Sequence, residues 1–379
     1  MPEAEIWTIK AALDWTVGFL SRKGDEHARL SAEWLLAEAC GMRRVELYVN
    51  FDRPLSPDER ARLRDWVTRR AAGEPLQYIT GETAFRHIAV KVRPGVLIPR
   101  PETEVLVSEA LAMLPAPSRR RAIDSRMTEE ESAEAFARIA EREAADRLGD
   151  GEGDQAPFDA SSAGRPSGEG GRAPAPDVDA DSADAGERAA GFEPEAPLYV
   201  ADICTGTGCI ACSIAQENPR TRVLACDISP EAVALAKDNV AALGLEGRVA
   251  VLRGNLGEPV VPRFLGALDL VVSNPPYVPT AVLAGIPREV ADFEPALALD
   301  GGADGLDLFR PLAAWAARAL KPGGGFAVEL HETHLDAAAD IARAEGFSDV
   351  RIAADLAGRP RILAARLPLA SAMSEGMRL

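Results

Sequence analysis

At 379 residues the chain exceeds the roughly 150 residues of a typical domain, so two domains are expected, with ample apolar sequence for a sizeable core. Lysine and arginine total 42 against 59 aspartate and glutamate, a net charge of −17, which argues against nucleic acid as a stable partner. No apolar run approaches the ~20 residues that span a bilayer, and the N-terminus, MPEAEIWTIKAAL, carries acids where a secretion signal is basic; a soluble cytoplasmic protein, with no membrane partner, is expected.

From Ile6 to Gly73 apolar positions recur three and four apart among charged residues, the pattern of a bundle of four or five helices. Ser56-Pro57-Asp58-Glu59 is an N-terminal helix signal, and Gly24, Gly41 and Gly73 stand at plausible ends. Residues 1–72 hold 12 basic and 12 acidic residues, a neutral balance that suits a protein surface better than a phosphate backbone. Over 74–100 the period switches to two, with turn residues at Gly81-Glu82 and Pro94-Gly95, predicting a β-hairpin connector. RPETEVLVSEALAML then opens a helix, with Pro101 near its first position and Glu102 and Glu104 in its first turn.

Residues 116–197 differ in kind. They hold 20 acidic and 10 basic residues, a net −10 of the chain's −17, and are rich in Ala, Gly, Pro and Ser. A solvated helix fits TEEESAEAFARIAEREAADRL, but the remainder lacks the apolar surface to order itself, so a disordered acidic insertion is expected, with an acidic binding arm as the alternative. From 198 to 368 strands and helices alternate, which predicts an α/β fold: a mostly parallel sheet with helices on both faces and a ligand beyond the strands' carboxyl ends. The expected domains are thus 1–73, the connector 74–100, a second domain of 101–115 with 198–368, and the insertion 116–197.

The first of these strands ends in Asp202-Ile203-Cys204-Thr205-Gly206-Thr207-Gly208, a strand running into a Gly-rich turn and a helix. Gly206 and Gly208 permit a tight turn and close approach of a ligand. The next strand ends in Asp227, whose carboxylate suits the two hydroxyls of a ribose, the bland alternative being a helix cap. Together they point to a nucleoside cofactor and leave NAD, FAD and S-adenosylmethionine open. A later strand, DLVVS, stops on Asn274-Pro275-Pro276-Tyr277. Two prolines withhold N–H donors and fix the chain, which makes either a rigid turn or an acceptor-rich site. The Asn274 amide oxygen, the Pro275 carbonyl and the Tyr277 ring suit a planar NH₂ group held with its nitrogen toward a methyl donor. Methyl transfer from a sulfonium fits such a site, whereas hydride transfer does not require it.

The signatures GEPLQYITGETAF, LIPRPETEVLV, DICTGTGCIA, SNPPYVP and FEPALALDGGADGLDLFR resemble those of the release factor glutamine methyltransferases, the PrmC/HemK family, over residues 1–115 and about 198–368. The resemblance implies a Rossmann-like S-adenosylmethionine-dependent methyltransferase sheet behind an N-terminal helical bundle that helps dock a peptide-chain release factor. It also implies that Asp202, Cys204, Thr205, Gly206, Thr207, Gly208 and Asp227, with Asn255, Leu256 and Asn274, bind S-adenosylmethionine. Asn274, Pro275, Pro276 and Tyr277 would hold the glutamine of a Gly-Gly-Gln loop, and the product would be N5-methylglutamine. Three positions depart from the family pattern: Cys204 replaces a usual glycine, Asn255 a usual aspartate, and Leu256 a usual aromatic. Cys204 is expected to need only an ordinary non-glycine conformation.

Other readings compete. The same loop serves methylation of adenine N6 or of a ribosomal-protein glutamine, and a binding module that has lost its cofactor is the non-enzymatic rival. The five cysteines are Cys40, Cys204, Cys209, Cys212 and Cys226, too few and clustered for a disulfide framework. Cys204-x4-Cys209-x2-Cys212, with Cys226, has an iron–sulfur spacing, but small buried hydrophobes explain those positions better. His331-x-x-His334 beside Glu329 and Glu332 reads as polar loop residues more than as metal ligands, and no metal is expected. Glu294-Pro295 and the Asp300–Gly305 run are expected to shape one wall of the site.

Overall fold

The computed structural model describes residues 7–116 and 196–369. The expectations for the acidic insertion fall almost wholly outside these residues. The N-terminal bundle consists of helices Ile9–Arg22, Ala28–Cys40, Arg44–Val49 and Pro57–Ala71. They close around Ile9, Leu13, Leu20, Leu35, Leu36 and Leu63, all buried. The capping box forms as the sequence suggests: Ser56 Oγ accepts from the Glu59 N–H at 3.2 Å, and Glu59 Oε2 accepts from the Ser56 N–H at 2.7 Å.

The connector departs from expectation in two ways. It begins with a short helix, Leu76–Thr80, which Gly81 ends in the left-handed conformation at φ 84°. The hairpin that follows, β1 (Glu82–Phe85) and β2 (Ile88–Lys91), turns on Arg86-His87, without a glycine or proline. Arg86 takes φ 51°, a conformation that costs a non-glycine residue roughly 1–2 kcal/mol. Its guanidinium offsets that cost by docking the turn on the second domain. It forms two bonds to Glu217 at 2.6 and 2.7 Å and others to the Glu104 carbonyl and Ser108 Oγ. A period-two pattern cannot reveal this, because the anchor lies 131 residues downstream.

The second domain is a seven-stranded sheet in the order β5-β4-β3-β6-β7-β9-β8. Its strands are β3 (Leu198–Ile203), β4 (Thr221–Asp227), β5 (Val249–Arg253), β6 (Leu268–Ser273), β7 (Leu320–Glu329), β8 (Ser348–Ala354) and β9 (Pro360–Arg366). Pairings from β5 through β7 are parallel, whereas β9 is antiparallel to both β7 and β8. Helices Pro101–Ala112, Cys209–Glu217 and Pro230–Ala242 cover one face over Val200, Val223, Leu270 and Val272. Phe309–Ala319 and Leu335–Ala344 cover the other over Ile203, Val271, Phe326 and Val328. Strand β8 falls outside the alternation read from the sequence: in SDVRIAA the charged Asp349 and Arg351 interrupt the apolar residues, and the strand lies largely exposed at the sheet edge. No helix among the described residues is long and apolar enough to cross a membrane.

The described chain breaks off shortly after Pro101–Ala112, at residue 116, and resumes at 196, just before β3, and one turn holds both points. Asn218 Nδ2 donates to the Pro115 carbonyl at 3.1 Å, and Arg220 Nη2 to the Ala196 carbonyl at 3.2 Å.

The Arg86–Glu217 pair has side chains only 14% and 18% exposed. Removing one partner strands a nearly buried charge, so Glu217→Ala should lower stability by about 3 kcal/mol in urea unfolding. An unchanged midpoint would mean that the hairpin is held by other contacts.

Candidate active site

Strand order puts β3 beside both β4 and β6, so the chain's direction of travel reverses across β3 and opens a crevice above the carboxyl ends. Register then decides what meets there. Ile203 pairs with Ser273, whose Oγ donates to the Ile203 carbonyl at 2.6 Å, so Cys204 and Asn274 emerge from adjacent strands at the same height. A cavity of about 460 Å³ lies above them, within the range of small-molecule sites. Cys204 to Thr207, Asp227, Asn255, Leu256, Asn274 and Pro276 line it. Asp202, Gly208, Pro275 and Tyr277 do not contribute to its lining.

The Gly-rich loop is organised by two carboxylates. Asp202 is fully buried, and its Oδ2 accepts from Thr205 Oγ1 at 2.5 Å and from the Ala211 N–H at 3.1 Å. Its Oδ1 has no partner among the described residues, and burial pushes its pKa up to about 7. Asp202 therefore shapes the loop from behind. Asp227 faces the cavity: Oδ2 accepts from the Gly206 N–H at 2.8 Å and Oδ1 from the Ser229 N–H at 2.9 Å. An ionised carboxylate offers about four lone-pair positions, so acceptor capacity remains on the cavity side. The helix Pro230–Ala242 is capped by Ser229, whose side chain accepts from Ala232, so Asp227 is not spent as its cap. Asn239, also buried, donates to the Thr207 carbonyl at 2.9 Å and to the Lys91 carbonyl at 3.1 Å, tying the loop to β2.

Two of the departures from the family pattern are conformational. Cys204 has φ 60° and Leu256 φ 48°, both in the left-handed region that favours glycine. The expectation that Cys204 needs only an ordinary conformation is therefore corrected: the turn from β3 keeps a glycine geometry with a thiol imposed on it. Burial pushes the Cys204 thiol above its ordinary pKa, so it stays protonated at neutral pH. The thiol of Cys209 is likewise pushed up, to about 12. Among the described residues no group of three or more His, Cys, Asp or Glu is placed to hold a metal ion. The His331 and His334 rings lie 5.6 Å apart, and His331 Nδ1 bonds Thr333 Oγ1.

On the β6 side, Asn274 Nδ2 donates to Thr103 Oγ1 at 3.1 Å, and Thr103 Oγ1 donates to Glu329 Oε2 at 2.7 Å. The Tyr277 hydroxyl stands 3.4 Å from the other oxygen, Oε1. Thr103 and Glu329 are buried, and sequence reasoning gave them no part in the site. The available signals were a threonine amid the acids of RPETE and an acid at the end of an apolar strand. Opposite them, Pro295, Leu297 and Ala298 form a wall, with Glu294 accepting from Arg100 at 2.7 and 2.8 Å. Asp300 and Asp304 are spent in turn contacts with Gly302 and Leu306.

A mostly parallel sheet with a Gly-rich loop on its first strand, an acid on its second and Asn-Pro-Pro-Tyr at the switch point defines a methyltransferase. Sequence comparison agrees: residues 190–284 match the methyltransferase small domain, and 11–81 the PrmC N-terminal domain. The release factor glutamine methyltransferase of Geobacter sulfurreducens is 37% identical over 96% of this chain and 98% of its own, and that of Moorella thermoacetica 35% over 93% and 96%. This chain belongs to the release factor glutamine methyltransferase family. A solved ribosomal protein L11 methylase from Lactobacillus delbrueckii subsp. bulgaricus is 22% identical, covering 48% of this chain and 74% of its own, with a TM-score of 0.34.

Because burial raises Asp202 above its unfolded value, its contribution is fully present below about pH 4 and is lost as pH rises through about 7. Asp202→Asn should therefore gain stability relative to the parent as pH rises from 5 to 8, by up to about 1.4 kcal/mol per pH unit. Parallel pH-dependent urea curves would refute the assignment.

Proposed function

We propose that the protein transfers a methyl group from S-adenosylmethionine to the side-chain amide nitrogen of the glutamine in a release factor's Gly-Gly-Gln loop. The observation that carries this reading is the meeting of Asn274 and the 204–208 loop in one cavity, across paired strand ends. The donor half fits the cofactor: Asp227 keeps acceptor capacity for a ribose, Gly206 leaves open space where a side chain would stand, and Leu256 offers an apolar surface to a base. When bound, S-adenosylmethionine supplies a sulfonium methyl, and its sulfur keeps the electron pair of the broken bond.

An amide nitrogen is a poor nucleophile, so orientation and polarisation must lower the barrier; well-oriented reactants gain roughly 7–11 kcal/mol. Asn274 Oδ1 accepts one amide hydrogen at the cavity wall, and in this reading the Pro275 carbonyl and the Tyr277 ring, which lie just outside that lining, accept the second hydrogen and limit the plane of the group. The nitrogen gains the methyl and releases one hydrogen as a proton to solvent. The same contacts favour an amide whose two N–H bonds they hold in one plane. Residues 1–73 act as a docking domain, a role supported by the half-exposed Trp15, Trp34 and Tyr48, beside the exposed Leu30, Val45 and Val49, on the bundle surface.

Asn274→Ala should abolish labelling of a purified release factor by labelled S-adenosylmethionine while calorimetry shows cofactor binding largely intact, the rest of the 204–208 loop and Asp227 being unchanged. Full activity of that variant, or equal labelling of a release factor lacking the Gly-Gly-Gln glutamine, would overturn the reading.

A further inference from the structure

The rotamer of Asn274 is a chemical question, because its amide can present either an oxygen or an NH₂ group to the cavity. We infer that Thr103 and Glu329 form a positioning relay that decides this, turning the Asn274 NH₂ inward and leaving its oxygen for the substrate. The inference rests on the substrate role of Asn274 given above. It follows from counting donors. Glu329 is buried at the end of β7, and as a carboxylate it only accepts. The Thr103 hydroxyl has one hydrogen and gives it to Glu329 Oε2 at 2.7 Å. Its oxygen can then only accept from Asn274, and Nδ2 supplies the hydrogen at 3.1 Å.

The opposite amide orientation would set the Asn274 oxygen against a hydroxyl whose hydrogen is already committed. A buried acceptor facing an acceptor loses its hydrogen bond and carries the desolvation penalty. The Tyr277 hydroxyl, 3.4 Å from Oε1, falls under the same control, so one carboxylate sets the polarity of both ends of the Asn-Pro-Pro-Tyr loop. Two independent elements converge for this purpose: Thr103 comes from the first turn of Pro101–Ala112, and Glu329 from β7, 226 residues away.

The relay needs the ionised form of Glu329. Burial pushes its pKa up to about 7; Thr103, Arg361 and Tyr277 pull it down, while Glu102 raises it further. The carboxyl also faces the Cys209 thiol, which stays neutral in this range. Above about pH 7 the acceptor-only form prevails, and the test belongs there.

Steady-state methylation of a release factor at pH 8 is compared for the full-length parent, Thr103→Val, Thr103→Ser, Glu329→Gln and Asn274→Ala, each with S-adenosylmethionine binding measured by calorimetry. Thr103→Val keeps the shape and removes the hydroxyl, and Glu329→Gln adds donors where only acceptors stood. Both should lose kcat on the order of 10²-fold, with KM and Kd for S-adenosylmethionine close to the parent's. Thr103→Ser restores the hydroxyl and should recover much of the lost kcat. A role confined to packing would instead weaken cofactor binding and leave Thr103→Ser no better than Thr103→Val; that result overturns the relay. Parental kcat in Thr103→Val and Glu329→Gln, beside an inactive Asn274→Ala, would overturn the relay alone. An active Asn274→Ala would overturn the underlying reading. If Glu329→Gln fails to fold, the Thr103 pair decides the question.

Discussion

The pairing of β3 with β6 governs this molecule's chemistry. These strands are 70 residues apart in sequence at their carboxyl ends, and each alone ends in an unremarkable turn. Parallel register with Ile203 opposite Ser273 aligns those ends to within one residue. A slip of one residue would turn every side chain of the strand to the other face and offset the two halves of the cavity. Apolar burial prevents that slip: Val200, Leu270 and Val272 face one helical layer, while Ile203 and Val271 face the other. The hydrophobic core and the site are therefore set by the same alternation.

Buried carboxylates then organise the backbone around the cavity without entering it. Asp202 gathers Thr205 and the start of the helix Cys209–Glu217, and Glu329 gathers Thr103 and, through it, Asn274. Each pays for its burial with a raised pKa, and each places a local negative charge or proton where loops of different strands must agree. Asp227 divides its capacity between holding Gly206 and facing the cavity. The strained φ angles of Cys204 and Leu256 lie on the cavity's rim, where such strain is commonly held in place by surrounding structure.

Much of this was legible in the residues. Alternating apolar strands gave the sheet, Ser56 and Glu59 the entry to a helix, and the glycines, Asp227 and Asn274 the two sides of one cavity. What escaped was non-local or polar. The Arg86 turn rests on Glu217, the edge strand β8 carries too little apolar sequence to stand out, and Glu329 matters only because folding brings it under Thr103. That Asp202 lies behind the loop and outside the cavity lining could not be read either, because a strand-end acid can point into the crevice or into the following turn. The left-handed conformation of Cys204 was hidden because a cysteine in place of glycine reveals nothing of the backbone it adopts.

The turn at Asn218–Arg220 has a broader consequence. It clasps the chain on both sides of residues 117–195, at the amino end of β3, while the cavity lies at the carboxyl end of that strand. Six strand residues, about 20 Å of extended chain, separate the two. The domain thus has a floor and a ceiling, and the two ends of its described chain meet at the floor. Whatever length of chain joins the clasped points therefore meets the domain at the floor, a strand's length from the reacting end.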